Sequence, residues 1–237
     1  MVNTITLSPT GLISIKPIDE LANRRTQLKI SGIVELKNKA PLFDNGRHRV
    51  IFQHPQNPDL IIKIVRHRWA EKYEKYNAFK KHFKPLRENV YNIFEFLETM
   101  RLNFDTNLRT PHILTTLGIV RTDLGWGMVC EIEKDKDGSP AKTIHEVGDK
   151  IGNYIAELKD LSQWAETSPV VLTSFHTDNL VLSWRDDHYE FVMIDGIGER
   201  NILRLRTYIR SLNRKENRKR LHKMLNELNL YDAVVGK

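Results

Sequence analysis

The order of apolar segments predicts an α+β protein with two lobes, a small β-rich N-terminal lobe and a mainly helical C-terminal lobe. Short β-branched runs separated by turns fill the first half of the 237-residue chain, whereas helical periodicity dominates the second half. At roughly 100–200 residues per domain, this length suits one large domain or two lobes that share a cleft. We therefore predict an N-terminal extension over residues 1–29, a β-rich lobe with inserted helices over 30–134 and a helical lobe with basic terminal helices over 135–237.

Five short apolar segments predict the strands of the N-terminal lobe, with a helix between the third and the fourth. Turns that contain Asn-Gly or Pro join the first three strands, which favours an antiparallel meander. The helical segment repeats apolar residues at i, i+3, i+4 and i+7, the spacing of a stripe that faces a core. The predicted strands are Ile30–Leu36, Val50–Gln53, Leu60–Val65, Ile113–Val120 and Gly127–Ile132, and the predicted helix is Leu86–Leu102.

The C-terminal half predicts a helix, then short apolar runs around a polar loop, and finally two helices. The polar loop precedes one apolar run, and a strand follows that run after a turn. The predicted elements are a mostly helical segment at Ile144–Glu166, apolar runs at Val170–Leu172 and Leu180–Trp184, a strand at Glu190–Ile194 and helices at about Ile202–Leu212 and Arg218–Leu230.

Composition excludes several classes of protein. The hydrophobic fraction of 40% and the charged fraction of 28% are those of an ordinary globular chain. Cys130 is the single cysteine, so neither an internal disulfide nor a cysteine-based zinc cluster is available. No run approaches the ~18 apolar residues of a membrane span, and the N-terminus lacks the pattern of a signal peptide. We therefore expect a cytoplasmic protein.

Positive charge is concentrated near the C-terminus. The chain has 37 Lys and Arg against 30 Asp and Glu, a net charge of +7. The segment Arg200–Lys223 alone holds ten basic residues and one acid, Glu216, a difference of +9, so the remainder is slightly acidic. The favoured interpretation is the solvated face of a terminal helix pair, and nucleic-acid binding is the less favoured one.

Lys63 interrupts an otherwise apolar strand. Strand alternation places it on one face with Ile61 and Val65. A buried ammonium group must be compensated, for which a phosphate or a carboxylate would serve. The alternative is an edge strand from which the side chain reaches water.

Three further features have the residue types of an anion or metal site. Gly46 lies in a turn beside Arg47 and Arg49, which suits an anion contact as well as a plain hairpin. The polar loop Ser174–Asn179 precedes a buried apolar run and is either a cleft loop or a hydrogen-bonded turn. Asp195 ends an apolar strand and is followed by Gly, which suits a metal-ligand carboxylate as well as an Asp-Gly turn.

Taken in chain order, these features resemble the layout of protein kinases: a Gly turn, a strand-borne Lys, a helix-borne Glu, a loop that ends in Asn and a strand-terminal Asp beside Gly. A closer resemblance is to the YrbL family, bacterial kinase-like proteins named for a protein of the PhoP regulatory network. It extends from about Leu36 to Arg200, and the blocks at 46–49 and 195–199 are its most specific parts. The segments that carry it are Ala40–Arg49, His54–Pro55, Ile62–Ile64, Gly118–Gly127, Asp137–Pro140, Asp178–Leu182 and Ile194–Glu199.

This resemblance implies a protein-kinase-like fold that binds ATP and Mg²⁺. Lys63 would hold the nucleotide's phosphates, while Asn179 and Asp195 would ligate Mg²⁺. The segment Val129–Ile132, which includes Glu131, would be the hinge whose backbone meets the adenine.

Two parts of the implied site are less regular than in protein kinases. The glutamate that pairs with Lys63 is Glu88 or Glu95, with Glu88 preferred for its Arg-Glu context. Gly46 stands alone where kinases have three glycines, so Arg47 or Arg49 would grip phosphate oxygens instead.

The catalytic loop departs from the kinase pattern. Ser174 lies five residues before Asn179, where kinases carry the base aspartate, so His176 and Asp178 are the fallback bases. A second register would make Asp178 the catalytic aspartate and Ser183 the metal ligand. The predicted function is therefore an ATP- and Mg²⁺-binding regulatory protein, either an atypical phosphotransferase with an unidentified protein or small-molecule acceptor, or a pseudokinase that works by binding a partner.

Overall fold

The computed structural model describes residues 3–7, 13–17, 32–44, 46, 48–66, 90–102, 110–199 and 204–236. The chain divides into two compact units. The first unit comprises Met1–Asn92 and Thr116–Glu131, and the second comprises Ile93–Thr115 and Ile132–Lys237. The first unit is built on β-sheet and the second is mainly helical, so the predicted α+β class is confirmed.

The first unit contains a four-stranded antiparallel sheet in the order β3-β4-β6-β5 and a separate antiparallel pair, β1-β2. A helix, α1, begins at the end of this unit and continues into the second. The bounds are β1 Asn3–Leu7, β2 Ile13–Pro17, β3 Arg49–Gln53, β4 Leu60–Val65, α1 Val90–Leu102, β5 Thr116–Thr122 and β6 Gly125–Glu131.

Strand β4 is the centre of the first unit's sheet. It pairs with β3 on one side and β6 on the other, and all six of its residues are buried. A strand that is buried on both faces has a continuous apolar sequence, and such a run is what predicted β4. The apolar core of this unit consists of Leu36, Phe52, Leu60, Ile62, Ile64, Val120 and Val129.

The prediction of a strand at Ile30–Leu36 is wrong over the described residues 32–36. Only Val34 forms a bridge, to Thr122 at the edge of the sheet. The carboxylate of Asp123 accepts hydrogen bonds from the backbone N–H groups of Leu36 at 2.7 Å and Lys37 at 3.0 Å. These bonds occupy the donors that a strand would offer to a neighbour, and they hold the pKa of Asp123 below its usual value.

The second unit packs helices against a three-stranded antiparallel sheet in the order β7-β8-β9. Leu158, Leu161 and Ala165 form the buried stripe of one helix. The helices are α2 Ile144–Val147, α3 Ile155–Thr167, α4 Leu205–Tyr208, α5 Arg210–Glu227 and α6 Tyr231–Val235. The strands are β7 Lys142–Thr143, β8 Leu180–Arg185 and β9 His188–Met193, and short 3₁₀ helices lie at Gly148–Tyr154 and Thr177–Asn179.

The mostly helical segment predicted at Ile144–Glu166 is confirmed: α2 is followed by a 3₁₀ segment that begins at Gly148, whose φ is +57°, and then by α3. One predicted helix boundary of the second unit is wrong. The predicted gap after Leu212 is absent, because α5 continues through it. Asn213 and Asn217 in this gap turn inward and bond to the backbone of another segment, so they serve the fold rather than end the helix. None of the helices in the described ranges combines the length and the apolar character needed to cross a bilayer.

A buried charged cluster holds β8 and β9 to the preceding segment. The guanidinium of Arg185 donates to both carboxylate oxygens of Glu133, at 2.9 and 2.5 Å, and to Glu190 at 3.2 Å. Although burial alone lowers the pKa of Arg185, the hydrogen bond and charge of Glu133 and the charge of Glu190 raise it above its ordinary value. Ser183 donates to the same Glu133 at 2.7 Å.

Replacing Arg185 with Met should lower the free energy of unfolding by about 3–5 kcal/mol, because two buried carboxylates lose their cation. Urea denaturation followed by circular dichroism measures this loss. The control is Arg218→Ala, which breaks an exposed pair with Glu166 and should cost at most about 1 kcal/mol. Equal losses in the two variants would show that burial adds nothing to the Arg185 pairs.

Candidate functional site

The pairing of β8 with β9 brings Asn179 and Asp195 to the same end of the second unit's sheet. β8 begins at Leu180, directly after Asn179, and β9 ends at Met193, two residues before Asp195. Leu180 pairs with Met193, and the Ile194 N–H donates to the Asn179 carbonyl at 2.9 Å. The two residues predicted to bind metal therefore lie beside each other at this sheet end.

Asn179 is held by the loop that precedes it. Its backbone N–H donates to the His176 carbonyl at 2.9 Å, which closes a turn of 3₁₀ helix. Its side-chain Nδ2 donates to the Ser174 hydroxyl at 2.9 Å and to the Ser174 carbonyl at 3.2 Å. Because both donated bonds use the amide nitrogen, the Oδ1 atom is left as the acceptor end of a half-buried side chain.

Gly196 joins the Asp195 turn to the same loop. Its carbonyl accepts from the Thr173 N–H at 2.6 Å, the Thr173 hydroxyl at 2.8 Å and the Ser174 N–H at 3.1 Å. Its N–H donates to Oδ1 of Asp195 at 2.5 Å, which orients that carboxylate. Gly196 has φ +85°, and a Cβ there would lie 2.6 Å from the Ser174 carbonyl oxygen, so glycine is required both by conformation and by space.

Asn179, Asp195, Ser174 and Gly196 thus form one hydrogen-bonded group, in which Asn179 and Asp195 offer an amide oxygen and a carboxylate as metal ligands. Within the described ranges, no three His, Cys, Asp or Glu side chains come together as a metal-binding group. Two oxygen ligands are too few for an all-protein Mg²⁺ cage, but they suit Mg²⁺ that takes its remaining ligands from water and phosphate.

In the first unit, Lys63 lies in the centre of β4. Lys63 is 2% exposed, and its strand has neighbours on both sides, so the edge-strand alternative is wrong. The Asn92 side chain donates to the Lys63 carbonyl at 2.9 Å. A cation placed this deeply fits the expectation of a compensating anion.

Of the two glutamates considered for Lys63, Glu88 lies outside the described residues. Glu95 is on α1, in the second unit, and is 2% exposed. The pairing of Lys63 with one of these glutamates, with Glu88 preferred, stays a prediction.

The turn at Gly46 is fixed by a nearby arginine. Arg66 donates to the Gly46 carbonyl at 2.9 Å and also bonds Asp44. A Cβ on Gly46 would lie 2.7 Å from the Arg49 carbonyl oxygen, which explains glycine at this position. Arg49 begins β3 and is buried, and Arg47 lies outside the described residues. Their predicted phosphate contacts stay predictions.

The fallback bases are at the surface. His176 and Asp178 are both exposed on the loop that holds Asn179. The second register is disfavoured, because Ser183 is 1% exposed and its hydroxyl donates to Glu133. Glu131, which lies in the predicted adenine-binding hinge, ends β6 and pairs with Leu60 of β4. Its contact with the adenine stays a prediction.

The basic C-terminal segment separates into two groups. Of its described members, Arg206 is buried and Arg220 is half-buried, and both donate to backbone carbonyls just before Ser174. The remaining basic side chains are exposed, as a solvated helix face predicts; they are Arg210, Arg214, Lys215, Arg218, Lys219 and Lys223, with Arg204 half-buried.

Sequence reasoning missed the side chains that hold the candidate loop in place. These are Glu98 on α1, Arg206, Arg220 and the two asparagines of α5. One signal was available: Asn213 and Asn217 are four residues apart in an otherwise basic helix, a spacing that places both on one face.

Similarity to known proteins identifies the family of this chain. Residues 34–229 match the family model described as PhoP regulatory network protein YrbL. The chain belongs to the YrbL family. Relatives described as uncharacterized protein YrbL, from Escherichia coli (strain K12) and Shigella flexneri, are each 27% identical over 184 residues, covering 74% of this chain and 79% of theirs. The resemblance drawn from the sequence is thereby confirmed.

Solved structures similar to this YrbL-family chain include kinase domains. The kinase domain of PknI from Mycobacterium tuberculosis matches with a TM-score of 0.37 and 12% sequence identity, covering 66% of this chain and 57% of that domain. A cysteine-to-alanine mutant of the same domain matches with a TM-score of 0.36 and 12% identity, covering 65% of this chain and 56% of that one. The chain thus spans little more than half the length of these domains.

Gly196→Ala should lower the free energy of unfolding by about 2 kcal/mol or more, because it adds a clash with Ser174 and a strained backbone. Chemical denaturation measures the change. Gly152→Ala is the control, since its Cβ would meet nothing within 4 Å, and no loss is expected there. Similar stability of the two variants would contradict the close approach at Gly196.

Proposed function

We propose that this YrbL-family protein binds a magnesium–nucleotide complex, with ATP as the nucleotide, as a kinase-like regulatory protein. The single observation that supports this most is the shared sheet end at which Asn179 and Asp195 lie beside each other. An amide oxygen and a carboxylate, both presented by tight turns, are the hard oxygen ligands that Mg²⁺ takes. The family's description as a PhoP regulatory network protein supports the regulatory part.

In this proposal, Asn179 and Asp195 would hold Mg²⁺, which would neutralise charge on the nucleotide's phosphates. The sequence resemblance assigns Lys63 to the phosphates as well. Burial of Lys63 supports an anionic ligand or partner for it, since an uncompensated ammonium group would be costly in β4. Phosphoryl transfer depends chiefly on positioning and charge neutralisation. Such a site would therefore transfer a phosphoryl group slowly even without a catalytic aspartate.

A second candidate function is nucleotide binding without transfer, as in a pseudokinase. Ser174 favours it, because its hydroxyl accepts the Asn179 hydrogen bond at the position where kinases carry a base, and a serine hydroxyl is not a base at neutral pH. Exposed His176 and Asp178 favour transfer, since either could accept a proton. Incubation with γ-labelled ATP and candidate acceptors separates the two: label that stays in ATP favours binding alone.

Asp195→Ala should abolish the Mg²⁺-dependent part of the stabilisation by ATP, because one of two proposed metal ligands is lost. For wild type, Mg-ATP at about 100 times its dissociation constant should raise the melting temperature by roughly 5–10 °C, and the same ATP concentration without Mg²⁺ should raise it less. A thermal-shift titration with and without Mg²⁺ measures both proteins. The control is Asp149→Ala, which removes the same charge from an exposed position of the same unit and should respond as wild type does. An undiminished shift of the melting temperature in Asp195→Ala would contradict the assignment of Asp195 as an Mg²⁺ ligand.

Ser174→Ala should change the affinity for Mg-ATP by less than about threefold. The Asn179 side chain keeps its bond to the Ser174 carbonyl, so the proposed metal ligand stays oriented after the hydroxyl is removed. Isothermal titration calorimetry gives the dissociation constants. A loss of about a hundredfold or more would mean that Ser174 itself contacts the ligand and that the assignment of the loop is wrong.

A further inference from the structure

The residues just before Ser174 form a buried segment whose backbone is bonded largely by side chains, apart from an isolated bridge of Leu172 with Ile197 and backbone bonds to Gly196 and Gly198. We call residues 169–173 the loop stem. It lies between α3 and the Ser174–Asn179 loop, and Val170, Val171 and Leu172 are fully buried. Buried backbone groups outside regular structure must find partners elsewhere. For most of the stem, those partners come from α5 and the short helix before it.

Two asparagines on α5 form hydrogen bonds with the backbone of three of the five stem residues. Asn213 Nδ2 donates to the carbonyls of Val170 at 2.7 Å and Pro169 at 3.1 Å. Asn217 Nδ2 donates to the Val170 carbonyl at 2.9 Å, while its Oδ1 accepts from the Leu172 N–H at 3.2 Å. Both side chains are almost completely buried, at 1% and 0% exposure.

Two arginines complete the contacts nearest Ser174. Arg206 Nη2 donates to the Leu172 carbonyl at 2.8 Å and to the side-chain oxygens of Asn217 at 2.8 Å and Asn213 at 3.1 Å. Arg220 Nη1 donates to the Thr173 carbonyl at 2.7 Å. One cation therefore reaches each of the last two stem carbonyls before Ser174.

Burial of the Arg206 guanidinium costs folding free energy. Burial, and then the charge of Arg220, lower its pKa below the ordinary value. In the part of the chain that the structure describes, no carboxylate lies within salt-bridge distance of it, and its Nε is buried without a hydrogen-bond partner. A buried cation solvated only by amide and carbonyl oxygens is a poor choice for stability alone. Groups that destabilise the fold in this way are typical of functional sites.

We propose that Arg206, Arg220, Asn213 and Asn217 are positioning residues for the magnesium–nucleotide site, an inference that rests on the proposed function. They act through the stem. Thr173 and Ser174 donate to the Gly196 carbonyl, and Ser174 accepts from Asn179, so a shift of the stem moves both loops that carry metal ligands. The basic C-terminal helix is therefore part of the site's support, and only its outward-facing charges belong to the solvated surface.

Arg220→Ala provides the sharpest test, because Arg220 is half-buried and makes one bond to the stem. Its loss should weaken Mg-ATP binding about tenfold, the value of one charge-assisted hydrogen bond that orders the metal ligands. ATP binding measured in EDTA should change by less than about twofold, because the stem supports the metal ligands and not the phosphate contacts. Titration calorimetry under both conditions gives the two ratios.

The matched control is Arg214→Ala, which removes an equal charge from the exposed face of the same helix. Affinity within about twofold of wild type is expected for it under both conditions. Arg220→Lys keeps the charge and a donor, so it should recover part of the lost Mg-ATP affinity. Arg220→Gln replaces Arg220→Ala if the latter does not fold.

Failure of the proposed function and failure of the positioning role would give different results. If wild type binds no Mg-ATP, the proposed function fails and the positioning role fails with it. If wild type binds but Arg220→Ala and Arg214→Ala have the same affinities, the positioning role alone is overturned. Equal losses with Mg²⁺ and in EDTA would also overturn it, since a general structural effect would weaken both.

Discussion

The register of β8 against β9 is the constraint on which the candidate site depends. Because the strands are antiparallel, the residue before one and the residues after the other meet at the same end of the sheet. The pairing of Leu180 with Met193 puts Asn179 and Asp195 there. A slip of one residue would turn every side chain of one strand to the opposite face, so the apolar core that fixes this register also fixes the site.

The loop stem shows how side chains can satisfy the backbone of a segment outside the named strands. The β8–β9 pair satisfies its backbone groups within the sheet, whereas the stem has backbone partners in Gly196 and Gly198 and takes most of the others from side chains of distant parts of the chain. Side-chain amides suit this task, because one Asn can donate to a carbonyl and accept from an N–H at once. The arginines add charge-assisted bonds to the carbonyls nearest Ser174, at the expense of a buried cation.

Strongly apolar strands were predictable, and weakly apolar segments were not. β3, β4, β8 and β9 lie within one or two residues of their predicted bounds, because each combines β-branched residues with a clear turn. The segment from Ile30 has similar composition, yet in its described part the Asp123 carboxylate takes the backbone donors. The break expected in the terminal helix is absent because buried partners compensate for the asparagines there. In both cases a polar contact from elsewhere overrode the local pattern.

By itself, the sequence determined the order of the strong strands, the YrbL family and the candidates Lys63, Asn179 and Asp195. These depend on local composition and short motifs, which the chain carries in adjacent residues. Only the tertiary structure decided that Lys63 lies in a central strand, that Ser183 bonds Glu133 and that α5 supports the stem. The partners in the last two cases are 50 and 47 residues apart in the chain. Hydrogen bonds over such separations form when packed elements bring the groups together, so no local periodicity encodes them.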